Sequence, residues 1–564
     1  LNISKEEMKK IENQVDLHLF DLLNETIPRY KYIYHINLVY IDLIIDKKLW
    51  FTTTEKHYLF SLSYNTFLAY KKLAEEDVFD YTFDKDLYQY CLIFLIKGMQ
   101  YSMLCDEFPG LNSEKKSIVF DKETSTYSFI DKALFPRKHY DFFIKYNIRK
   151  ALSYTLQMAS GKLNDIDEEG AAIQLTKLYF NFWSENMLFK DFEPYSQRDW
   201  GGVAFFFTQA SMRRFIKLYR ADFNIKKLDS QKMMILISPS GKKKIIEFTL
   251  SKNQKVIDKV MEDFIYKPLG NNLFPKSNIS DAPIIQTKDG YLIANPLVIL
   301  FNDSNETRFL NNLRKYDNAR HQRVKDKLKE RAIPIIEQLL KMKYPEAKVY
   351  CNFNLPIPKK KNQTREFDIL VIDDKTGFVL YIEVKHFFNP MSFSEMKSLD
   401  IQLQDAITKT SDQLYAIEYN WDLIKQRYAI TTNITKIRAI ILSHQYLGND
   451  VEINEYVPIV DPQNLYGSIA ETYTIEDLYN ANKELDHVFR LVKMIGSNLN
   501  FHYGGYDFSI KMESLDPRFE SLYLQSYRKI IMKSINFEEA DYFKSIEELA
   551  KALLTKLDKN KVEE

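Results

Sequence analysis

Two carboxylates and a lysine interrupt runs that otherwise read as dry core in "EFDILVIDDKTGFVLYIEVKHF", Glu366 to Phe387. An unpaired charge in an apolar interior is costly and usually neutralises by shifting its pKa, so Asp368, Glu383 and Lys385 need compensation. Carboxylate oxygens are hard ligands that suit Mg²⁺, with Mn²⁺ as a substitute, and such an ion is commonly shared with substrate phosphates. A lysine two residues after the second acid can orient or deprotonate the attacking water, or stabilise charge developing on the phosphate. That is the chemistry of phosphodiester hydrolysis.

The hairpin that must hold these residues can be drawn from spacing. With "DKTG" (Asp374 to Gly377) as a four-residue loop, Asp373 pairs with Phe378, and every cross-strand pair has residue numbers summing to 751. Asp368 then falls opposite Glu383, and Glu366 opposite Lys385. The two-residue period of a strand sends these four to one face and Ile382, Val384 and His386 to the other. Acids directly opposite repel, so a cation between them resolves the conflict. A cross-strand ion pair accounts for Glu366 and Lys385 but leaves the two acids unexplained.

Around the hairpin, the order is helix, strand, strand, strand, helix, strand. A charged helix over "NNLRKYDNARHQRVKDKLKERAIPIIEQLLKMKYP" is basic in its first half, carries an apolar stripe through Ile333, Ile336, Leu339 and Leu340, and ends at Pro345. After it come "AKVYCNFNLPIP", the hairpin, a helix over "DIQLQDAITKTSDQLYAIEYNWDLIKQR" and the apolar strand "KIRAIILSHQY". Residues 1–230 read as helical, in segments such as "LFSLSYNTFLAYKKLAEE" and "GAAIQLTKLYFNFWSENMLF", and their aromatic density reads as core. Residues 231–311 read as a small β-rich connector, with hairpins around Pro-Ser-Gly in "MMILISPSGKKKIIEFTLS" and around Asp289-Gly290 in "PIIQTKDGYLIANPLVIL". Lys242, Lys243 and Lys244 read as a solvated hairpin tip. Residues 466–564 read as helical, with "TIEDLYNANKELDHVFRLVKMIG" and "SIEELAKALLTKLDKN".

Composition sets the outer bounds. The chain has 564 residues, 45% hydrophobic and 27% charged, with 39 Phe and 37 Tyr against 15 Gly and 17 Pro, which argues for several ordered domains rather than a disordered chain. Lys plus Arg (78) and Asp plus Glu (77) nearly cancel, so any footprint for a polyanion must be local. The three cysteines lie far from any zinc-ligand spacing and fit a reducing cytosol. Apolar stretches such as "INLVYIDLII" are too short to span a bilayer, and the N-terminal text has no signal-peptide pattern, so the expectation is a cytoplasmic protein without membrane contact.

Asp368, fourteen residues, then Glu383-Val384-Lys385 on a hairpin after a helix resembles the PD-(D/E)xK, or restriction-endonuclease-like, nuclease superfamily, over about residues 312–465. The resemblance implies a multidomain α+β protein in which a restriction-endonuclease-like α/β core with a mixed sheet (312–465) follows the helical region (1–230) and connector (231–311) and precedes the helical C-terminal region (466–564). It implies a Mg²⁺-dependent endonuclease with Asp368, Glu383 and Lys385 as its catalytic set and the two acids as metal ligands. A further helix acid would be Glu330, with Glu337 in reserve, and a helix glutamine would be Gln413, or else Gln404. The residue before Asp368 is Phe367, where the family's pattern has Pro.

Lys359, Lys360, Lys361 and Arg365 lead into the hairpin, and Arg323 and Lys327 lie on the basic helix; beside a carboxylate site such residues would hold a phosphate backbone. The expected partner is nucleic acid, DNA in the first instance, with the N-terminal region free to bind a protein partner or a second copy. A restriction or phage-defence role follows by analogy alone. The contrasting reading is a non-catalytic nucleic-acid-binding or regulatory protein on a lapsed nuclease fold.

Overall fold

The computed structural model describes residues 3–24, 32–46, 82–112, 116–131, 195–220, 234–249, 251–266, 282–300, 317–360, 363–387, 393–444, 456–488 and 494–515, with a few isolated residues between. Parts of the proposed helical segments, including all of 59–76 and 545–560 and most of 170–189, lie outside these. The chain divides into two compact units, one of residues 1–132, 142–324 and 496–514, the other of 133–141, 325–495 and 515–564.

In the first unit, α1 (Lys5–Asn24), α2 (Tyr32–Asp46) and α3 (Lys85–Asn112) bury a common core that includes Val15, Tyr40 and Leu95. Asp84 caps α3 by accepting the Leu87 N–H at 3.0 Å. Strands β1 (Lys116–Asp121) and β2 (Thr126–Asp131) follow, then α4 (Gln197–Arg220) and β3 (Ile235–Ile237). The run after the Pro-Ser-Gly turn is not a strand: a 3₁₀ turn over Ser240–Lys242 leads into α5 (Lys243–Ile246), so Lys242 to Lys244 sit on helical backbone rather than at a hairpin tip. Next come α6 (Gln254–Phe264), β4 (Ile284–Gln286), β5 (Leu292–Ala294) and α7 (Pro296–Leu300). The second expected hairpin is present, with β4 antiparallel to β5 and Gly290 at φ 85 in the turn.

The second unit contains the sheet that matters for the site. Helix α8 (Asn318–Lys343) starts where Asp317 accepts the Arg320 N–H at 3.0 Å and stops before Pro345; its residues from Lys325 onward belong to this unit. Strands β6 (Lys348–Pro356), β7 (Thr364–Asp373) and β8 (Phe378–His386) form an antiparallel meander. Helices α9 (Phe393–Tyr419) and α10 (Trp421–Tyr428) cross over to β9 (Lys436–His444), parallel to β8, and β10 (Ile459–Val460) lies parallel to β9. The spatial order is β10-β9-β8-β7-β6, a mixed sheet. One face buries Ile369, Val371, Leu380, Ile382 and Val384 against Ile333, Ile336, Leu339 and Leu340 of α8, joined by α11 (Pro462–Glu471) and α12 (Ile475–Val488). Full burial of each such side chain contributes about 1.5–3 kcal/mol.

The helical reading of the C-terminal region holds for α12 and fails at β11 (Met494–Tyr503) and β12 (Tyr506–Leu515). These strands join β1 and β2 in a sheet ordered β1-β2-β12-β11, so the N-terminal region is not purely helical either. The chain reverses at Gly504 and Gly505, both at positive φ (59 and 85), the backbone a two-residue hairpin turn demands.

Candidate active site

The hairpin turn explains the register. Asp373 accepts the Lys375 N–H at 3.0 Å and the Thr376 hydroxyl at 2.7 Å, and Gly377 sits at φ 73, where a Cβ would meet the Asn433 carbonyl at 2.3 Å. From Asp373–Phe378 to Ile369–Ile382 the pairs follow the expected register. The ladder ends there. Oδ2 of Asp368 accepts the Val384 N–H at 2.8 Å, so the acid's own side chain takes up a backbone donor of the neighbouring strand.

Asp368 stands at a break in both of its ladders. On the other side it faces Asn352, and the β6–β7 pairs flank this position in one unbroken register without including it. Asn352 has φ 49, a left-handed conformation that Asn tolerates better than most residues. The consequence is a change of face: Tyr350 and Phe353, three apart, both contact Tyr428, at ring centroid distances of 3.8 and 6.4 Å. Phe367 likewise reaches Tyr381, at 5.5 Å, on the face opposite α8. Asp368 therefore lies where the sheet switches sides, and its placement is set by the backbone break rather than by plain alternation.

Glu383 is 6% exposed and Asp368 2%. Each Glu383 oxygen is engaged: Oε1 by the ammonium of Lys385, Oε2 by the Tyr381 hydroxyl and by Nε2 of Gln413 at 3.2 Å. Nε2 of Gln413 also donates to the Tyr381 hydroxyl oxygen at 2.9 Å. Tyr381, Glu383 and Lys385 alternate along β8, so the strand period puts all three on the face that α9 covers. Burial, together with the neighbouring charges of Glu383 and Asp368, holds the Tyr381 phenol well above its usual pKa. It stays a protonated donor.

The expected Glu366–Lys385 pair does not form: Glu366 is exposed and pairs in register with Asn354, while Lys385 turns to Glu383 on its own strand. Gln413, the glutamine favoured from the sequence, reaches Glu383. Glu330 and Lys327 lie on α8 with their side chains outside the described residues, as does Lys361 altogether. Glu337 accepts from Lys341 at 2.6 Å, and burial together with the nearby charge of this acid pushes the Cys351 thiol up to about 12; Asp368 adds to that push. The α8 acid is thus one cysteine away from the hairpin acid. Lys325, also on α8, is depressed by burial first, with Lys385 adding to the effect, which brings the basic helix to the site's lysine.

Lys359 and Lys360 are exposed in the turn after β6, Lys359 at φ 63; Arg365 is half-buried on β7, and Arg323 is exposed on α8. His386 pairs in register with His444 and stacks on it at 5.2 Å, and burial plus this neighbour push His444 down to about 3. Tyr381 was missed by sequence reasoning, although its place two residues before Glu383 already put it on the acid's face.

Among the described residues no group of three or more His, Cys, Asp or Glu side chains is arranged to hold a metal ion, and no helix is long and apolar enough to cross a membrane. Comparisons of the chain with protein-family models, with curated proteins and with solved structures found no match.

Proposed function

We propose that the second unit is a metal-dependent nuclease that hydrolyses phosphodiester bonds, with DNA as its first candidate substrate and defence against foreign DNA as its setting. The observation that carries this reading is the burial of Asp368 and Glu383 beside one tyrosine, with Lys385 on the remaining oxygen of Glu383. The donor set fits Mg²⁺ or Mn²⁺: two hard carboxylates suffice for an ion that keeps several waters and shares substrate phosphates, and Oε1 of Glu383 already has a cation upon it. Asp368 and Glu383 would hold the ion, which supplies Lewis-acid activation of the phosphate and of water. Lys385 would place its ammonium against the scissile phosphate. Exposed Lys359 and Lys360 would hold the strand.

One observation favours a second reading. Both oxygens of Glu383 are satisfied within the protein, as a purely structural network requires, and a non-catalytic binding protein would keep it so. The deciding experiment is a cleavage panel of single-stranded DNA, double-stranded DNA and RNA, with and without Mg²⁺, run on wild type and Glu383→Gln. Mg²⁺-dependent cleavage lost in the variant supports the nuclease. No cleavage of any substrate, with binding unaffected by the variant, supports the second reading.

A further inference from the structure

We infer that Tyr381 is a positioning residue that, with Gln413, fixes Glu383 so that only its Oε1 is offered to an incoming cation. This rests on the nuclease reading above. Tyr381 is fully buried, and its hydroxyl lies at the centre of the site: it donates to Oε2 of Glu383 and accepts from Nε2 of Gln413 at 2.9 Å. Two donors on one carboxylate oxygen remove the rotation that would let either oxygen face the cleft. The ring is wedged edge-on against Phe367 at 5.5 Å, so the hydroxyl cannot swing away with it.

A hydrophobic residue at this position would pack equally well but would not hold Glu383. Groups that orient a metal-ligating carboxylate generally matter almost as much as the ligand, with losses of 10–100-fold in affinity or activity when removed.

The test is Mn²⁺ titration by electron paramagnetic resonance on the full chain, comparing wild type, Tyr381→Phe, Gln413→Ala and the double variant, with thermal melts alongside. The expected result is one bound Mn²⁺ in wild type and affinity about 10-fold weaker in Tyr381→Phe. The double variant should be weaker by less than the product of the single losses, since both groups act on one oxygen. Tyr381→Phe keeps the ring, so its melt should stay cooperative. Unchanged Mn²⁺ affinity in a folded Tyr381→Phe overturns the inference and leaves the nuclease reading standing. Wild type that binds no Mn²⁺ takes both down together. Should Tyr381→Phe fail to fold, a loss of affinity in Gln413→Ala supports the bracket and its absence overturns it.

Discussion

Lys385 donates its ammonium to Oε1 of Glu383, two residues back on the same face of β8, and so stands on the one oxygen of that acid that Tyr381 and Gln413 leave open. A divalent ion and this ammonium compete for the same place. Lys385→Met should therefore tighten Mn²⁺ binding severalfold while cleavage falls by about 10²-fold or more, because the group facing the phosphate is lost. Affinity from a titration and rate from a cleavage assay give the two halves separately. Weaker Mn²⁺ binding in Lys385→Met would show that the lysine assists the ion rather than competing with it.

Asp368 has a backbone task as well as a chemical one. Its Oδ2 accepts the Val384 N–H where the β7–β8 ladder has ended. Spacing alone suggests that removing one of two repelling acids costs little; the buried N–H reverses that expectation. Asp368→Ala leaves this donor unsatisfied and should cost about 1–3 kcal/mol. Asp368→Asn keeps an acceptor oxygen and should unfold close to wild type, yet lose cleavage as fully as Asp368→Ala. Denaturant melts of the two variants, beside their cleavage rates, separate the roles; equal destabilisation in both would mean the bond to Val384 is unimportant.

The hairpin was legible because a short polar loop with Gly377 fixes register, and register fixes which residues face each other. The core face of α8 was legible for the same reason, a periodic apolar stripe that is buried as expected. What alternation could not show was the break at Asn352 and Asp368, since a single left-handed residue changes sides without any change in composition. Lys385 pairing along its strand rather than across it follows from that break, because the ladder stops before Glu366 could reach. The β11–β12 hairpin did have a signal, the Gly504-Gly505 pair between alternating residues. The helical pattern just before it, through Val488, masked the change of period.

The turn after β6 supplies the third prediction. Lys359 and Lys360 are exposed there, and Lys361 follows in sequence. If all three meet phosphates, replacing them together with Ala should weaken binding for every sequence alike and flatten the dependence of log affinity on log salt by about 2–3. Fluorescence anisotropy of a labelled oligonucleotide across a salt series measures both. A variant with the wild-type slope would place the phosphate contacts elsewhere in the chain.

Glu471, the last residue of α11, is 5% exposed, and neither carboxylate oxygen has a hydrogen-bond partner among the described residues. The charged group facing it from α8, Lys343, bonds the neighbouring Ala470 carbonyl at 2.6 Å; Tyr344 is occupied with Thr472 at 2.5 Å. Burial pushes the Glu471 carboxyl up to about 7, and Lys343 pulls it only part of the way back. The acid end of a helix dipole adds to the cost of a negative charge there. Below the unfolded-state value of about 4.3 both states carry the proton. Between about 4.3 and 7 the folded state alone keeps it, so the folded state binds more protons and stability falls as pH rises through that window. Above about 7 the loss is complete. One pKa unit corresponds to about 1.4 kcal/mol, and screening around the partly solvated Lys343 should leave about 1–2 kcal/mol. Glu471→Gln removes the titration without changing shape, so its melting temperature should match wild type near pH 4 and exceed it by roughly 2–6 °C at pH 8. Thermal melts of both proteins from pH 4 to 8 decide it: parallel curves across the range would mean that Glu471 is ionised and compensated in the folded state.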